Sequence, residues 1–214
     1  MGLLDGNNAS IVVPGGNTPR YFFKLLSRAS IDWGKITLVL SDERLVPINH
    51  QSSNYGMIKN IFHQKLNVDQ HPKILPEMEK FKPDYIDSFL QKTNAMMNNI
   101  ADVSHAFLGI GADGHTASLF GNIEDLTDKA NSPYFFTNNS KEPFSRLSLS
   151  LAFLQKIPQL TFLVSGNTKE KALKSIIYSK NPPFQSSASF LINNFNGRLK
   201  ILCDKKACPN TKDD

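Results

Sequence analysis

The sequence predicts an α/β fold: a single domain with a mainly parallel central sheet and helices on both of its faces. Short apolar runs of strand length alternate with segments whose apolar residues recur at helical spacing. This alternation favours a parallel sheet, because each helix returns the chain to the end at which the next strand begins. Residues 1–214 suffice for one such domain, and no internal repeat breaks the pattern. Residues 1–8 are expected to be a short lead-in, and residues 208–214 a disordered tail.

The N-terminal half contains two strand and helix units. Residues 9–13 form an apolar strand, and Pro19 favours a helix start just beyond the glycine turn that follows. Residues 36–40 are the second buried strand, and a polar loop separates them from a helix over residues 54–66. Helical spacing predicts that these side chains face inward: Tyr21, Phe22, Leu25 and Leu26 in the first helix, and Tyr55, Ile58, Ile61 and Phe62 in the second.

The C-terminal half continues the alternation. A third helix is predicted over residues 85–100, and the apolar runs at residues 106–110 and 160–164 are further buried strands, each followed by a loop. The remaining predicted elements are a helix over residues 168–178, a Pro- and Ser-rich loop over residues 181–189, and a strand over residues 199–203 that closes the sheet.

Composition and charge exclude several classes of protein. With 40% hydrophobic and 20% charged residues, the chain is not collagen-like, coiled-coil or wholly disordered. The net charge of +5 suits an anionic ligand, but the basic residues are too few and too scattered to indicate nucleic acid. The first ten residues lack a basic region with a long apolar run, so we expect no secretory signal, no membrane partner and a cytoplasmic location. Cys203 and Cys208 are then reduced thiols, and no zinc-ligand spacing accompanies them.

Four loops could carry chemistry, because ligands of parallel α/β sheets bind beyond the carboxyl ends of the strands. The first loop contains Gly15, Gly16, Asn17 and Thr18 and leads into the first predicted helix. Its glycines and the unpaired N–H groups of the helix start could bind an anion. It has neither a GxGxxG nor a GK[ST] motif, which argues against NAD and ATP. The alternative is a structural turn in which Asn17 or Thr18 caps the helix.

The second and fourth loops each contribute a cation. Asp42, Glu43 and Arg44 directly follow a buried strand, and the planar guanidinium of Arg44 could hold a phosphate or carboxylate, with Asp42 or Glu43 to orient it. A surface ion pair is the alternative. In the fourth loop, Lys169 lies in the first turn of a helix, where a cation is unfavourable. A bound anion would remove that penalty.

The third loop, residues 108–120, is the richest in chemistry. It combines three glycines, Gly111 among them, with an acid, an imidazole and two hydroxyls at one strand exit. Histidine is the side chain whose ordinary pKa lies nearest neutral pH, so the imidazole at position 115 could act as a general base, and Asp113 could fix its tautomer. The alternative is a histidine with satisfied hydrogen bonds and no catalytic role.

Together these loops resemble those of the 6-phosphogluconolactonases, which are related to the glucosamine-6-phosphate isomerases. The resemblance rests on GGNTP at residues 15–19, DERLVP at 42–47 with SNY at 53–55, GIGADGHTASLF at 109–120 and GNTK at 166–169. It extends in order over about residues 9–207, and the residues after His115 distinguish the chain from the isomerases. The fold that the resemblance implies is α/β with a Rossmann-like central sheet, no metal and no organic cofactor.

The resemblance also implies a reaction: the hydrolysis of 6-phospho-D-glucono-1,5-lactone to 6-phosphogluconate in the oxidative pentose phosphate pathway. This hydrolysis needs three things: a base that removes a proton from water, hydrogen-bond donors for the negative oxygen that develops at C1, and groups that bind the phosphate. We assign these roles to His115 supported by Asp113, to Arg44 with loop amides, and to Gly15, Gly16, Thr18 and Lys169 in turn. Asn17, Asp42 and Gly111 are further expected substrate contacts. Ser118 lacks a GxSxG elbow, which argues against an acyl-enzyme.

Three departures from the family pattern accompany the resemblance. Pro14 replaces a serine before the two glycines, Gly121 replaces a proline, and the family's opening helix has no counterpart in the few residues before the first strand. Two alternatives to the lactonase stay open. One is an isomerase or deaminase on the same scaffold. The other is a non-catalytic sugar-phosphate-binding protein, which stays possible because Pro14 has no backbone N–H to donate to a phosphate. The sequence does not indicate an oligomeric state.

Overall fold

The structure is a computed structural model, and it describes residues 8–16, 18–100, 102–121, 123–127, 132–139, 143–178 and 186–209. Asn17, most of the predicted lead-in and most of the predicted C-terminal tail lie outside these residues.

The described residues form nine strands in two sheets. In chain order the strands are β1 (Ala9–Val13), β2 (Ile36–Leu40), β3 (Asp42–Arg44), β4 (Lys73–Leu75), β5 (Val103–Gly109), β6 (Tyr134–Thr137), β7 (Arg146–Leu149), β8 (Gln159–Val164) and β9 (Arg198–Cys203). The larger sheet has six strands in the order β4-β2-β1-β5-β8-β9, and each pair in it is parallel. The smaller sheet is antiparallel, in the order β3-β7-β6.

The larger sheet confirms the predicted fold class. Each of the five apolar runs in the sequence is one of its strands, and β1 and β2 have the predicted bounds. The core lies on these strands: Ile11, Leu38, Leu108 and Phe162 are at most 1% exposed. Burial of such side chains, at about 25 cal/mol per Å² of apolar surface, is the main force that holds the sheet. The short strand β4 contains only two adjacent apolar residues, so the sequence pattern does not predict it.

Seven α-helices, together with five short 3-10 helices, complete the described fold. The α-helices are α1 (Pro19–Leu26), α2 (Asn54–His63), α3 (Ile86–Met97), α4 (Ile123–Thr127), α5 (Leu151–Gln155), α6 (Glu170–Tyr178) and α7 (Ser187–Asn194). The prediction of a loop over residues 181–189 is wrong at its end, where α7 begins after Ser186 caps it through Ser189 N. Residues 181–185 lie outside the described residues.

The buried face of α1 differs from the prediction. Phe23 is fully buried, whereas Tyr21 and Leu25 are 71% and 49% exposed. The stripe that packs on the sheet is therefore one residue out of phase with the predicted one and has the usual i, i+3, i+4, i+7 spacing. It consists of Pro19, Phe22, Phe23 and Leu26.

The smaller sheet overturns the prediction of a polar loop after β2, because residues 42–44 form a strand. Arg44 lies opposite Arg146, and Asp42 lies opposite Ser148. Strand alternation sends Asp42 and Arg44 to one face of the sheet and Glu43 to the other. The two adjacent acids therefore have different surroundings.

The strand order also fixes the place of the site. The chain leaves β1 for β2 on one side of the sheet and leaves β5 for β8 on the other, so the loops after the adjacent strands β1 and β5 diverge. This is a topological switch point, at which a crevice opens beyond the carboxyl ends of the strands.

Candidate functional site

One cavity at the carboxyl ends of β1, β2, β5 and β8 brings together most of the predicted site residues. Its volume is about 210 Å³. Asp113 does not line the cavity itself but makes a hydrogen bond with His115, which does. Asn17 lies outside the described residues. The predicted residues in its lining are Gly15, Gly16, Thr18, Asp42, Arg44, Gly111, His115 and Lys169.

His115 and Asp113 form a pair at one wall of this cavity. His115 Nδ1 lies 2.5 Å from Asp113 Oδ1, and the same oxygen accepts from the His115 backbone N–H at 3.2 Å. Burial would raise the pKa of Asp113, but the adjacent His115 and these hydrogen bonds lower it below its usual value. An ionised Asp113 favours the tautomer with the proton on Nδ1, so Nε2 is left to accept a proton.

The backbone of the third loop makes room for that pair. A Cβ on Gly111 would lie 2.3 Å from His115 Nδ1 and 2.6 Å from Asp113 Oδ1. The Gly111 N–H donates to His115 O at 2.7 Å and closes the turn. The contribution of Gly111 is therefore its missing side chain, because its N–H already has an acceptor. Gly114 has a φ of +84°, a left-handed conformation that glycine adopts without strain.

Asp42 belongs to a buried network instead of orienting Arg44 as predicted. Its Oδ1 accepts from Ser41 Oγ at 3.0 Å, and its Oδ2 accepts from Ser118 Oγ at 2.7 Å. Arg146 Nη1 lies 3.6 Å from the same Oδ2, and both side chains are at least nine-tenths buried. Asp42 thereby holds Arg146 in the cavity wall, where the guanidinium also lies over the ring of Phe120.

Glu43 points away from the cavity and binds the start of α2. Its carboxylate accepts from the backbone N–H groups of Arg44, Asn54 and Tyr55 at 2.6–2.9 Å and from Ser53 Oγ at 3.2 Å. Complete burial raises the pKa of Glu43 to about 7, although the three N–H donors act in the opposite direction. Glu43 therefore fixes the loop backbone to α2 and does not contact the Arg44 guanidinium.

Arg44 is held by a neutral partner. Its Nη1 donates to Asn54 Oδ1 at 2.6 Å and approaches Ser52 O at 3.5 Å. Within the described residues no carboxylate forms an ion pair with Arg44, so the alternative of a surface ion pair is wrong there. The guanidinium lines the main cavity and also a second cavity of about 220 Å³ beside it.

The first and fourth loops complete the opposite wall. Thr18 has helical dihedral angles and makes no side-chain capping bond, so the capping role considered for it is wrong. Ser165 Oγ and Gly166 N donate to Asp204, and these bonds lower the pKa of Asp204. Asp204 thus anchors the loop that carries Lys169 to the end of β9.

Sequence reasoning missed three residues that build the site: Asn54, Arg146 and Asp204. Asn54 lies within the SNY motif, but only the fold brings its amide to Arg44 and Gly16. Arg146 could have been noticed, because it begins an alternation of polar and apolar residues over residues 146–150 that is typical of a half-buried strand. Asp204 carries no comparable local signal.

Among the described residues, His, Cys, Asp and Glu form no group of three or more that could hold a metal ion. The described part of the chain also has no helix that is both long and apolar enough to span a membrane. Cys203 and Cys208 are free thiols.

The chain is similar to a known protein family, to two named enzymes and to a solved structure. The model of the family described as glucosamine-6-phosphate isomerases/6-phosphogluconolactonase matches residues 3–195. A 6-phosphogluconolactonase of Synechocystis sp. is 27% identical over 98% of this chain and 88% of its own. One of Rhizobium meliloti is 30% identical over 77% of this chain and 72% of its own. The crystal structure of the devB protein superposes with a TM-score of 0.79 at 26% identity, covering 96% of this chain and 88% of that one.

Proposed function

This chain belongs to the glucosamine-6-phosphate isomerase/6-phosphogluconolactonase family, and from that premise we propose that it hydrolyses 6-phospho-D-glucono-1,5-lactone to 6-phosphogluconate. The observation that carries the proposal is the His115–Asp113 pair, 2.5 Å apart, in the wall of a cavity that Arg44, Arg146 and Lys169 also line. A base and several cations around one cavity suit an anionic substrate that water attacks. The relatives of Synechocystis sp. and Rhizobium meliloti, both named as 6-phosphogluconolactonases, support the same substrate.

In the proposed reaction His115 acts as the general base. Its Nε2 takes a proton from a water molecule as the oxygen of that water attacks C1 of the lactone. Asp113 stabilises the imidazolium that results, because its carboxylate accepts from Nδ1. The same imidazolium then gives a proton to the ring oxygen as the C1–O bond breaks, and the products are a carboxylic acid and a hydroxyl group.

Arg44 stabilises the negative charge that develops on the C1 oxygen. Its charge is not neutralised by a described carboxylate, so it can interact fully with a developing oxyanion. Lys169, Arg146 and the loop with Gly15, Gly16 and Thr18 then hold the phosphate. A phosphate that is fixed in this way keeps C1 at His115 and lowers the entropic cost of the attack.

Water is favoured as the nucleophile over a serine. Ser118 is fully buried and its hydroxyl donates to Asp42 Oδ2, while Ser41 donates to the other oxygen of the same carboxylate. Neither hydroxyl contacts His115 among the described hydrogen bonds, so the imidazole does not activate either of them as a nucleophile.

The test is to mix the purified protein with freshly prepared lactone and follow acid release against the spontaneous rate. We expect the wild-type protein to accelerate hydrolysis and His115→Ala to lose about 10²- to 10⁴-fold in kcat, with unchanged binding of 6-phosphogluconate. His63→Ala is the matched control, because His63 lies on α2 outside the cavity. Release of ammonia from glucosamine 6-phosphate would favour the isomerase, and tight binding of 6-phosphogluconate without acceleration would favour the non-catalytic protein.

A further inference from the structure

The side-chain amide of Asn54 joins three parts of the cavity wall. Asn54 is the first residue of α2 and is only 2% exposed. Its Oδ1 accepts from Gly16 N at 3.2 Å and from Arg44 Nη1 at 2.6 Å, and its Nδ2 donates to Asp42 O at 2.8 Å. One amide therefore connects the glycine loop after β1, the guanidinium of Arg44 and the backbone of β3.

These partners allow only one orientation of the amide. Gly16 N and Arg44 Nη1 can only donate, and Asp42 O can only accept, so a flipped amide would face two donors with its own NH₂ group. Gly15 makes room for the amide in this orientation, because a Cβ at Gly15 would lie 1.9 Å from Asn54 Nδ2. The backbone of Asn54 is fixed as well, since its N–H donates to Glu43 Oε1 at 2.9 Å.

The neutrality of Asn54 matters as much as its geometry. An aspartate here would make an ion pair with Arg44 and weaken its attraction for a ligand anion, whereas an amide oxygen fixes the guanidinium and leaves its charge available. We propose that Asn54 is a positioning residue that sets Arg44 against the glycine loop and leaves the positive charge of Arg44 uncompensated, so that it can attract an anionic ligand. This inference rests on the proposed function for the identity of the substrate, but its contacts concern any anion in the cavity.

The test compares Asn54→Ala and Asn54→Asp with Asn94→Ala. Asn94 is the matched control, because its amide also makes two hydrogen bonds, with Tyr134 N at 2.7 Å and Tyr134 O at 3.0 Å, and lies outside the cavity. Each variant is assayed for lactone hydrolysis and, separately, for the affinity of inorganic phosphate by calorimetry. Thermal unfolding of each variant identifies the temperature at which it is fully folded.

We expect Asn54→Asp, which keeps the size and the acceptor of the side chain, to lose about tenfold or more in phosphate affinity, and Asn54→Ala to lose about 30-fold or more in kcat/KM, mostly in kcat. Asn94→Ala should change neither value by more than about twofold. In an Arg44→Ala background the effect of Asn54→Ala on kcat/KM should shrink to less than about threefold, because the residue that it positions is gone.

Two outcomes would overturn the proposal. Equal losses for Asn54→Ala with and without Arg44 would mean that Asn54 acts on the fold alone. Unchanged phosphate affinity in Asn54→Asp would mean that its neutrality is irrelevant, and this variant carries the test if Asn54→Ala does not fold. If the wild-type protein binds phosphate but does not hydrolyse the lactone, the proposed function fails while the phosphate measurements still test the role of Asn54.

Discussion

Replacing the buried Glu43 by glutamine should change how the stability of the protein depends on pH. The pKa of Glu43 is raised by burial from 4.5 to about 7 in the folded state, and we take the lower value for the unfolded chain. Between these two pH values the folded protein binds a proton that the unfolded chain does not, so the free energy of unfolding falls as pH rises. At 1.36 kcal/mol per pKa unit, the loss is about 3 kcal/mol once the pH is above 7.

Glu43→Gln removes this dependence and adds a constant cost. The amide keeps one oxygen acceptor but presents an NH₂ group to donors such as Tyr55 N and Ser53 Oγ, and each buried donor that loses its acceptor costs about 1–3 kcal/mol. That cost does not vary with pH. His63 and His105 have pKa values lowered mainly by burial, which makes stability fall toward acid pH, but both proteins share this effect.

The assay is urea unfolding at about pH 5 and about pH 8, followed by the fluorescence of Trp33, which is the single tryptophan and is 1% exposed. From the lower to the higher pH, the free energy of unfolding of wild type should fall by about 2.5 kcal/mol more than that of the variant, because pH 5 already lies above the pKa of the unfolded chain. Curves that run parallel, within about 1 kcal/mol, would refute the assignment of a raised pKa to Glu43.

Three further substitutions probe the site. Gly111→Ala places a Cβ 2.3 Å from His115 Nδ1, so kcat should fall by about 10²-fold with the fold retained in circular dichroism; an unchanged kcat would show that His115 need not hold its position. Lys169→Ala should raise KM for the phosphorylated lactone far more than for unphosphorylated gluconolactone, and equal effects would place Lys169 away from the phosphate. Arg44→Lys should lower kcat/KM by about 100-fold or more although the charge survives, whereas a change under about fivefold would remove Arg44 from the reaction.

The apolar strands were predictable because burial on both faces of a parallel sheet leaves a continuous hydrophobic run in the sequence. The runs that became β1 and β2 have the predicted bounds for this reason. The smaller sheet was not predictable in the same way, since β3 is composed only of charged residues, Asp42, Glu43 and Arg44. Its strand conformation comes from pairing with β7, which is distant in sequence.

The candidate site, like the fold, was predictable only in part. Loops that follow apolar strands were predictable as a group, and eight of the predicted residues line one cavity. What each side chain contacts was not predictable, because those contacts are made across the fold. Asp42 illustrates this: its partners Ser118 and Arg146 lie in other segments of the chain, so the predicted pairing with Arg44 was wrong.

The register between β3 and β7 places Arg44 directly opposite Arg146, on the same face of the smaller sheet. Like charges opposed in this way destabilise a strand pair, and Asp42 is the carboxylate that offsets one of them. We therefore expect a bound dianion to relieve repulsion between the two guanidinium groups and to stabilise this strand pair. A phosphorylated ligand at a hundred times its Kd would add about 2.7 kcal/mol to stability, so we expect the free energy of unfolding to rise with the concentration of such a ligand.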